Sequence, residues 1–258
     1  GASSGLGRGI ALALSAEGYC VALTGRDQQA LKDVAGLAQQ RGITEAFVVV
    51  GDVGKDDDCA NIITSTLQTY GRLDLLVNNA GIIVPGSCET LSIKDFDHQM
   101  NINTRAAFLL TKLAVPHLKL TKGNIVNVSS ISGLTASPGV VAYNMSKAAL
   151  DQLTRCVALE MAPHGVRVNS VNPGLVPTNI HFRAGFTQDR FKSHLSRGAE
   201  VHALGRNGTV EEVAQTVVFL ASPSSSFITG ITLPVDGGRT VMTHDINTLK
   251  TELHPLQK

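Results

Sequence analysis

Six short apolar runs alternate with longer helix-forming stretches, and this alternation constrains the fold more than any other feature. The runs are nearly continuous in apolar or β-branched residues, which is typical of parallel strands buried on both faces. Repeated strand-helix alternation predicts an α/β fold with a doubly wound, mostly parallel sheet and helices on both faces. The predicted strands are 20–24, 46–50, 73–78, 124–130, 166–172 and 231–236, and the predicted helices are 6–17, 27–41, 55–70, 103–120, 142–162 and 209–221.

Length and charge narrow the class of protein. The 258 residues contain no linker, repeat or low-complexity run, which predicts a single domain over 1–258. The formal net charge is +1 and opposite charges are interspersed, so no nucleic-acid or anionic-membrane partner is expected. The apolar runs are also far shorter than the about 20 residues of a membrane span.

Four cysteines and eight histidines show no metal-binding spacing. Cys20, Cys59, Cys88 and Cys156 form no C-x-x-C pair, and the histidines form no H-E-x-x-H pattern. We therefore predict no metal site, reduced thiols and a cytoplasmic protein, with an organellar targeting segment left open.

The chain begins with GASSGLGRGI, in which glycines at positions 1, 5 and 7 precede a helical pattern. Glycine permits a tight turn and close backbone approach, and free N–H groups at a helix start face an anion. This pattern predicts a phosphate-binding loop, although glycine-rich turns often only turn the chain. Such a loop needs a strand before it, and no strand pattern precedes Gly1. We therefore expect about ten further residues before Gly1, forming the first strand of a seven-stranded sheet.

Ser130, Tyr143 and Lys147 supply the groups needed to move a proton at a carbonyl. Tyr143 and Lys147 are four residues apart in a helix-forming segment, a spacing that also fits an ordinary surface pair. Lowering a tyrosine pKa from about 10 to near neutral requires about 4 kcal/mol. A unit charge about 4 Å away supplies a similar amount at an effective dielectric of about 20. The pattern predicts Tyr143 as general acid or base, activated by Lys147, with Ser130 holding the substrate oxygen.

Seven signals in one order together resemble the short-chain dehydrogenase/reductase family, over almost the whole chain. They are GASSGLG (1–7), Asp52-Val53, NNAG (78–81), Asn103 in MNINTRAAF, Ser130 in VNVSS, Tyr143-x-x-x-Lys147 and PGLVPT (173–178). The resemblance implies an oxidoreductase that uses a nicotinamide cofactor to interconvert a small-molecule carbonyl and its alcohol.

The resemblance also implies a role for each matching residue. Cofactor-binding residues would be Gly1, Ser3, Ser4, Gly5, Leu6 and Gly7 at the pyrophosphate, Asp52 and Val53 at the adenine, Asn79, Ala80 and Gly81 at the ribose and floor, and Pro173, Gly174, Val176 and Thr178 at the nicotinamide end. Tyr143 and Lys147 would also contact the cofactor, Lys147 at the nicotinamide ribose. Asn103 would be a fourth catalytic residue, because it would anchor a water that links Lys147 to solvent.

Some of these residues also have purely structural interpretations. Asn78 fits a tie between neighbouring strands, and Pro173-Gly174 fits a turn that ends a strand. Asn103 alone fits an ordinary polar residue at a helix start.

The choice between NAD and NADP depends on Gly25-Arg26-Asp27, which follows the first predicted strand. Relatives that use NAD usually carry an Asp where this chain has Gly25. Arg26 offers a planar group for a 2′-phosphate, so the sequence favours NADP over NAD. Asp27 fits a helix cap, with a ribose contact as the alternative.

The segment 178–206 is the predicted substrate lid. Phe182, Phe186 and Phe191 lie in it, interleaved with basic residues. These rings fit an apolar pocket wall, which favours an apolar or acyl carbonyl substrate. They equally fit a packing role that holds the lid against the body of the domain or a neighbouring subunit. The alternative functions are an NAD-dependent sugar or polyol dehydrogenase and a non-catalytic nucleotide-binding regulatory protein.

A homo-oligomer, tetramer or dimer, is implied by the resemblance. The contact would involve the helices predicted at 103–120 and 142–162, whose small and apolar faces equally fit burial against the sheet. These faces include Ala106, Ala107, Leu110, Ala149 and Leu153. The tail 239–258 is predicted either to cover a neighbouring subunit or to be disordered.

Overall fold

The computed structural model describes residues 1–40 and 46–242, in which strands and helices alternate as predicted. The strands are β1 Ala22–Gly25, β2 Phe47–Val50, β3 Leu75–Asn78, β4 Asn124–Val128, β5 Arg167–Pro173 and β6 Thr232–Val235. The helices are α1 Gly5–Ala16, α2 Gln28–Gln40, α3 Asp56–Tyr70, α4 Ile93–Met100, α5 Ala106–Thr121, α6 Val141–Met161, α7 Ile180–Arg183, α8 Gln188–Glu200 and α9 Val210–Ala221. All six predicted strands are confirmed.

The six strands form two parallel sheets, so the predicted single seven-stranded sheet is not found. β1 pairs with β2, and β3, β4, β5 and β6 form a second sheet in that order. The start of the chain lies between the ends of β1 and β3. The Gly1 amino group donates to Thr24 O (2.7 Å), and the Asn79 side chain donates to Gly1 O (3.1 Å). The strand predicted before Gly1 lies outside the sequence and stays a prediction.

Both faces of the four-stranded sheet are covered by helices, as the continuous apolar runs predict. On β4, Ile125 packs into a core with residues of α3, α5 and α6, whereas Val126 packs against α1 and α9. Both side chains are fully buried. The Asn78 side-chain amide donates to the Asn127 side-chain oxygen (Oδ1) of the neighbouring strand (2.9 Å), which confirms the structural tie.

The helix predicted at 103–120 begins earlier and contains an irregular turn. α4 continues through a π-helical turn at Asn101–Arg105 into α5. The predicted cap at Asp27 is confirmed, since its carboxylate accepts from Ala30 N (3.0 Å) at the start of α2. Thr209 and Glu212 form a capping box on α9. Among the helices of the described residues, none is long and apolar enough to cross a membrane.

Candidate active site

A cleft of about 980 Å³ lies at the carboxyl ends of the strands. Parallel strands place the loops that follow them at one edge, so distant motifs meet there. Every predicted cofactor residue lines this cleft: Gly1, Ser3, Ser4, Gly5, Leu6, Gly7, Arg26, Asp52, Val53, Asn79, Ala80, Gly81, Tyr143, Lys147, Pro173, Gly174, Val176 and Thr178. Ser130 also lines it, whereas Asn103 does not.

The glycine loop presents the start of α1 to the cleft. The Ser4 side chain does not cap α1, so the first-turn N–H groups are available to an anion. Gly7 lies so close to Gly1 that a β-carbon at position 7 would collide with the Gly1 carbonyl oxygen and the Asn79 amide. The loop therefore has the backbone geometry of a phosphate cradle.

Two arginines flank the end of this loop. Arg26 lies 4.0 Å from the Asp52 carboxylate, and Arg183 in α7 donates to Ser4 Oγ (3.2 Å). Together with Ser3 and Asp27 they line a small hollow of about 250 Å³ beside the main cleft. The sequence prediction missed Arg183 because it is remote from the loop in the chain and belongs to no motif.

Three of the four predicted catalytic side chains, those of Ser130, Tyr143 and Lys147, meet in the cleft. Ser130 follows β4 and lines the cleft together with Tyr143 of α6, close enough to act on the Tyr143 pKa. Lys147, one turn further along α6, has Nζ 5.7 Å from the centroid of the Tyr143 ring. Its ammonium donates to the Val128 carbonyl oxygen (2.8 Å). A phenol, a hydroxyl and a cation therefore converge on one site.

Burial dominates the electrostatics of this group. It raises the pKa of Tyr143, an effect that the hydrogen bond from Ser130 opposes. It lowers the pKa of Lys147 to about 8, and the negative charge of Asp151 opposes this shift. The predicted lowering of the Tyr143 pKa is therefore wrong for the protein alone, because removal of water outweighs the hydrogen bond.

Asn103 lies in the π-helical turn and is buried under the cleft floor. Its side-chain oxygen accepts from Ile82 N (2.9 Å), and its amide donates to Ile82 O (3.0 Å) and Ser146 Oγ (3.0 Å). A β-carbon at Gly81 would contact both the Asn103 oxygen and Lys147 Nζ. Asn103 thus fixes the floor beside Lys147, while its predicted role as a water anchor stays a prediction.

Comparison with known proteins bears on this site. The model of a family described as enoyl-(acyl carrier protein) reductase matches residues 1–240. A meso-2,3-butanediol dehydrogenase of Serratia marcescens is 39% identical over 243 residues, which cover 93% of this chain and 92% of that protein. The chain belongs to the short-chain dehydrogenase/reductase family. It is accordingly an oxidoreductase.

Solved structures agree with this membership of the short-chain dehydrogenase/reductase family. A Caenorhabditis elegans member of unknown function, crystallised with cofactor, is 36% identical with a TM-score of 0.90, covering 94% of each chain. A 3-ketoacyl-(acyl-carrier-protein) reductase from Brucella melitensis, complexed with NADH, is 31% identical with a TM-score of 0.83. That likeness covers 93% of this chain and 96% of the other.

This short-chain dehydrogenase/reductase also has a buried carboxylate that sequence reasoning missed. Asp151, one turn beyond Lys147 on α6, accepts from Asn172 Nδ2 (3.0 and 3.1 Å) and Ser170 Oγ (3.3 Å). Asn172 Nδ2 also donates to the Ser130 carbonyl oxygen (2.9 Å). The network therefore links Asp151, whose charge acts on Lys147, to Ser130 through β5. Its one sequence signal is the four-residue step from Lys147.

The predicted lid forms α7 and α8 and lines the same cleft. Of its three phenylalanines, Phe186 lines the cleft, whereas Phe182 and Phe191 pack on each other (ring centroids 4.6 Å apart). His181 contacts Phe186 and His194, with ring centroids 5.5 and 5.0 Å away. Burial, with a smaller contribution from His194, lowers the pKa of His181 to about 4. One ring therefore fits the pocket-wall interpretation and two fit lid packing.

Proposed function

We propose that this enzyme interconverts a carbonyl and a secondary alcohol with NADP, using Tyr143 as general acid or base. The observation that carries the proposal is the convergence of the Tyr143 and Ser130 side chains on one cleft, beside the buried Lys147 side chain. A bound reduced nicotinamide supplies the hydride. A phenol and a hydroxyl side by side are suited to hold one carbonyl oxygen.

The direction of the Tyr143 pKa shift favours carbonyl reduction. Because burial raises the pKa of Tyr143, the phenol is protonated near neutral pH. It can donate its proton to the oxygen as negative charge develops there. Ser130 donates a hydrogen bond to the same oxygen in this proposal. The oxidation of an alcohol needs the phenolate, which the positive charge of Lys147 stabilises.

The geometry of the cleft suits a nicotinamide dinucleotide. The uncapped start of α1 and the close approach of Gly7 to Gly1 suit the pyrophosphate. Lys147 and Asn79 line the middle of the cleft as proposed ribose contacts, and the segment 173–178 lines the proposed nicotinamide end. In this proposal Asn103 completes a proton relay from Lys147 through water.

The hollow beside Arg26 supports NADP over NAD. Ser3, Arg26 and Arg183 surround it with a hydroxyl and two guanidinium groups, which suit a 2′-phosphate. Asp27 caps α2 with one carboxylate oxygen, which accepts from Ala30 N, and its second oxygen leaves the ribose contact as the alternative. No other carboxylate of the described residues lines this hollow.

Removing the arginine or adding a carboxylate at this hollow is expected to shift the cofactor preference from NADPH to NADH. Arg26→Ala should raise the KM for NADPH at least about tenfold, since one charged hydrogen bond is worth about 1.5–3 kcal/mol, and leave the KM for NADH nearly unchanged. Gly25→Asp should favour NADH, because a β-carbon there meets Leu31 and Ser3 only at ordinary contact distances of 3.5 and 3.6 Å. Initial rates with both cofactors measure the effect. A wild-type preference for NADH would overturn the assignment.

Gly7→Ala is expected to weaken NADPH binding at least about tenfold, the equivalent of about 1.4 kcal/mol, because the methyl group displaces the Gly1 turn. Gly36→Ala is the matched control. The β-carbon at position 36 in α2 meets nothing within 4 Å, so this variant should bind normally and gain about 0.5–1 kcal/mol of stability. Fluorescence titration with NADPH compares the two variants. If the two variants bind NADPH with equal affinity, the glycine loop is not part of the cofactor site.

An apolar or acyl carbonyl is the proposed substrate class, because Phe186 lines the cleft. A second candidate is an NAD-dependent oxidation of a small diol, favoured by the similarity to a butanediol dehydrogenase. Initial rates on a panel of ketones, ketoacyl thioesters, diols and sugar alcohols, with each cofactor, decide between the two. The proposed function fails if no carbonyl or alcohol is turned over.

Assembly, domain organisation and location are also proposals. Ala106, Ala107 and Leu110 are buried within the chain's own core, so they are not available to a partner. Phe108 and Met145 are exposed on α5 and α6, which supports a dimer or tetramer through these helices. We retain one domain over 1–258, a lid at 178–206 and a cytoplasmic location. Within the predicted tail, residues 243–258 lie outside the described residues.

A further inference from the structure

The cleft carries an excess of positive charge that the whole chain does not. Among the described residues, six lysine and arginine side chains line it against one carboxylate, that of Asp52. The formal net charge of the chain is only +1. Arg26, Arg183 and Lys147 lie with the proposed cofactor site. Three cations therefore remain without a role in cofactor binding.

These three form an arginine cluster, defined as Arg190, Arg197 and Arg239. Arg190 and Arg197 are seven residues apart on α8 with His194 between them, so the three side chains share one helix face. Arg239 reaches the same cleft from the short 3₁₀ turn after β6. The Arg190 guanidinium lies 4.2 Å from the centroid of the Phe186 ring. An aromatic wall and a cationic group therefore adjoin each other.

Within residues 1–40 and 46–242, no carboxylate forms an ion pair with any member of the cluster. Asp236, whose charge acts on Arg239, accepts hydrogen bonds from the N–H groups of Gly238 (3.0 Å) and Thr240 (2.7 Å). Burial and then the charge of Arg197 lower the pKa of Arg239, against an opposing effect of Asp236. The positive charges thus repel one another in a partly buried site.

The positive charges of the cluster also act on His194. Burial lowers the pKa of its imidazole, and Arg239, Arg190 and Arg197 each lower it further. His181, on the other side of the ring cluster, is buried and also favours the neutral form. The histidines therefore add polar contacts to the site without adding to its positive charge near neutral pH.

We infer that the arginine cluster binds an anionic group, a carboxylate or a phosphate, on the substrate whose carbonyl meets Tyr143. This inference rests on the proposed function and narrows its substrate class. Guanidinium groups bind planar oxyanions with paired hydrogen bonds. Phe186 contacts the apolar body of such a substrate. A cleft of one charge sign also raises the rate at which an oppositely charged ligand arrives.

Matched ligands test the inference in the full chain. Benzoylformate and its methyl ester present the same ketone with and without a carboxylate. The wild type with NADPH should favour the acid over the ester in kcat/KM. Arg197→Gln and Arg239→Gln should each reduce this ratio about tenfold, the change that corresponds to about 1.4 kcal/mol. Arg72→Gln is the control, because Arg72 pairs with Asp74 away from the cleft (2.6 Å) and the ratio should not change.

Binding measurements keep the test independent of turnover. Benzoate, phenyl phosphate and benzamide are titrated into the NADPH complex, and the stronger of the two anions identifies the charged group. Arg197→Lys and Arg239→Lys keep the charge and should retain part of the preference if a glutamine variant does not fold. Equal binding of benzoate, phenyl phosphate and benzamide by the wild type would overturn the inference. If the enzyme turns over the ester but shows no preference for anions, the inference is refuted and the proposed function stands. If it binds anions selectively but turns over no carbonyl, only the proposed function is refuted.

Discussion

Tyr143→Phe is expected to lower kcat for carbonyl reduction by about 10²–10⁴-fold, the usual contribution of a general acid or base. The variant removes one hydroxyl that lies beside Ser130 in the cleft. The ring, its packing and the neighbouring Lys147 remain, so NADPH should bind with nearly unchanged affinity. Single-turnover kinetics measure the chemical step, and fluorescence titration measures the cofactor affinity.

Tyr19→Phe is the matched control for this variant. The Tyr19 hydroxyl donates to the Ala221 carbonyl oxygen (3.2 Å) and does not line the cleft. Its removal should cost about 1 kcal/mol of stability and leave kcat unchanged. If Tyr143→Phe retains the wild-type rate on a substrate that the enzyme turns over, the acid-base role of Tyr143 is wrong. A loss of NADPH binding in the same variant would point to cofactor contact instead.

The sequence predicts elements whose signal is local. β4 is a clear example, because Ile125 and Val126 are adjacent apolar residues that pack on opposite faces of the sheet. A strand buried on both faces must be apolar at successive positions, so its composition reveals it. The caps at Asp27 and Thr209 are equally local, since each involves residues three apart.

The parts that were missed depend on contacts between distant residues. Arg183 meets Ser4, and Arg239 meets the face of α8, only after folding. The π-helical turn at Asn101–Arg105 reads NINTR, and its weak helix formers indicate a helix start as readily as an irregular turn within one long helix. The division into two sheets was missed because pairing between strands is not encoded within any one strand.

The sign of the Tyr143 pKa shift shows a further limit. The spacing of Tyr143 and Lys147 predicts their proximity, and Nζ does lie 5.7 Å from the ring centroid. Spacing does not predict how much water each group loses. That loss determines the direction of both shifts, because burial disfavours the phenolate and the ammonium alike.

Lys147→Met is expected to lower kcat at least about 10²-fold, the lower end of what an acid-base group contributes, without destabilising the protein at neutral pH. Lys147 is 4% exposed, and holding its ammonium charged costs free energy of folding. Burial lowers its pKa from 10.5 to about 8 in spite of Asp151, so the cost outweighs the attraction. Asp151 retains its hydrogen bonds from Asn172 and Ser170 in the variant. Urea unfolding at pH 7 should therefore give a stability at least equal to that of the wild type.

The pH dependence provides a test with a definite sign. Because the folded pKa of Lys147, about 8, lies below its unfolded value of 10.5, the unfolded state holds more protons between these values. The free energy of unfolding of the wild type should therefore rise with pH across this window. Relative to Lys147→Met, the rise from pH 7 to pH 10 should be roughly 2 kcal/mol. Parallel stability curves for the two proteins would show that Lys147 is not a buried cation, and its role beside Tyr143 would have to be abandoned.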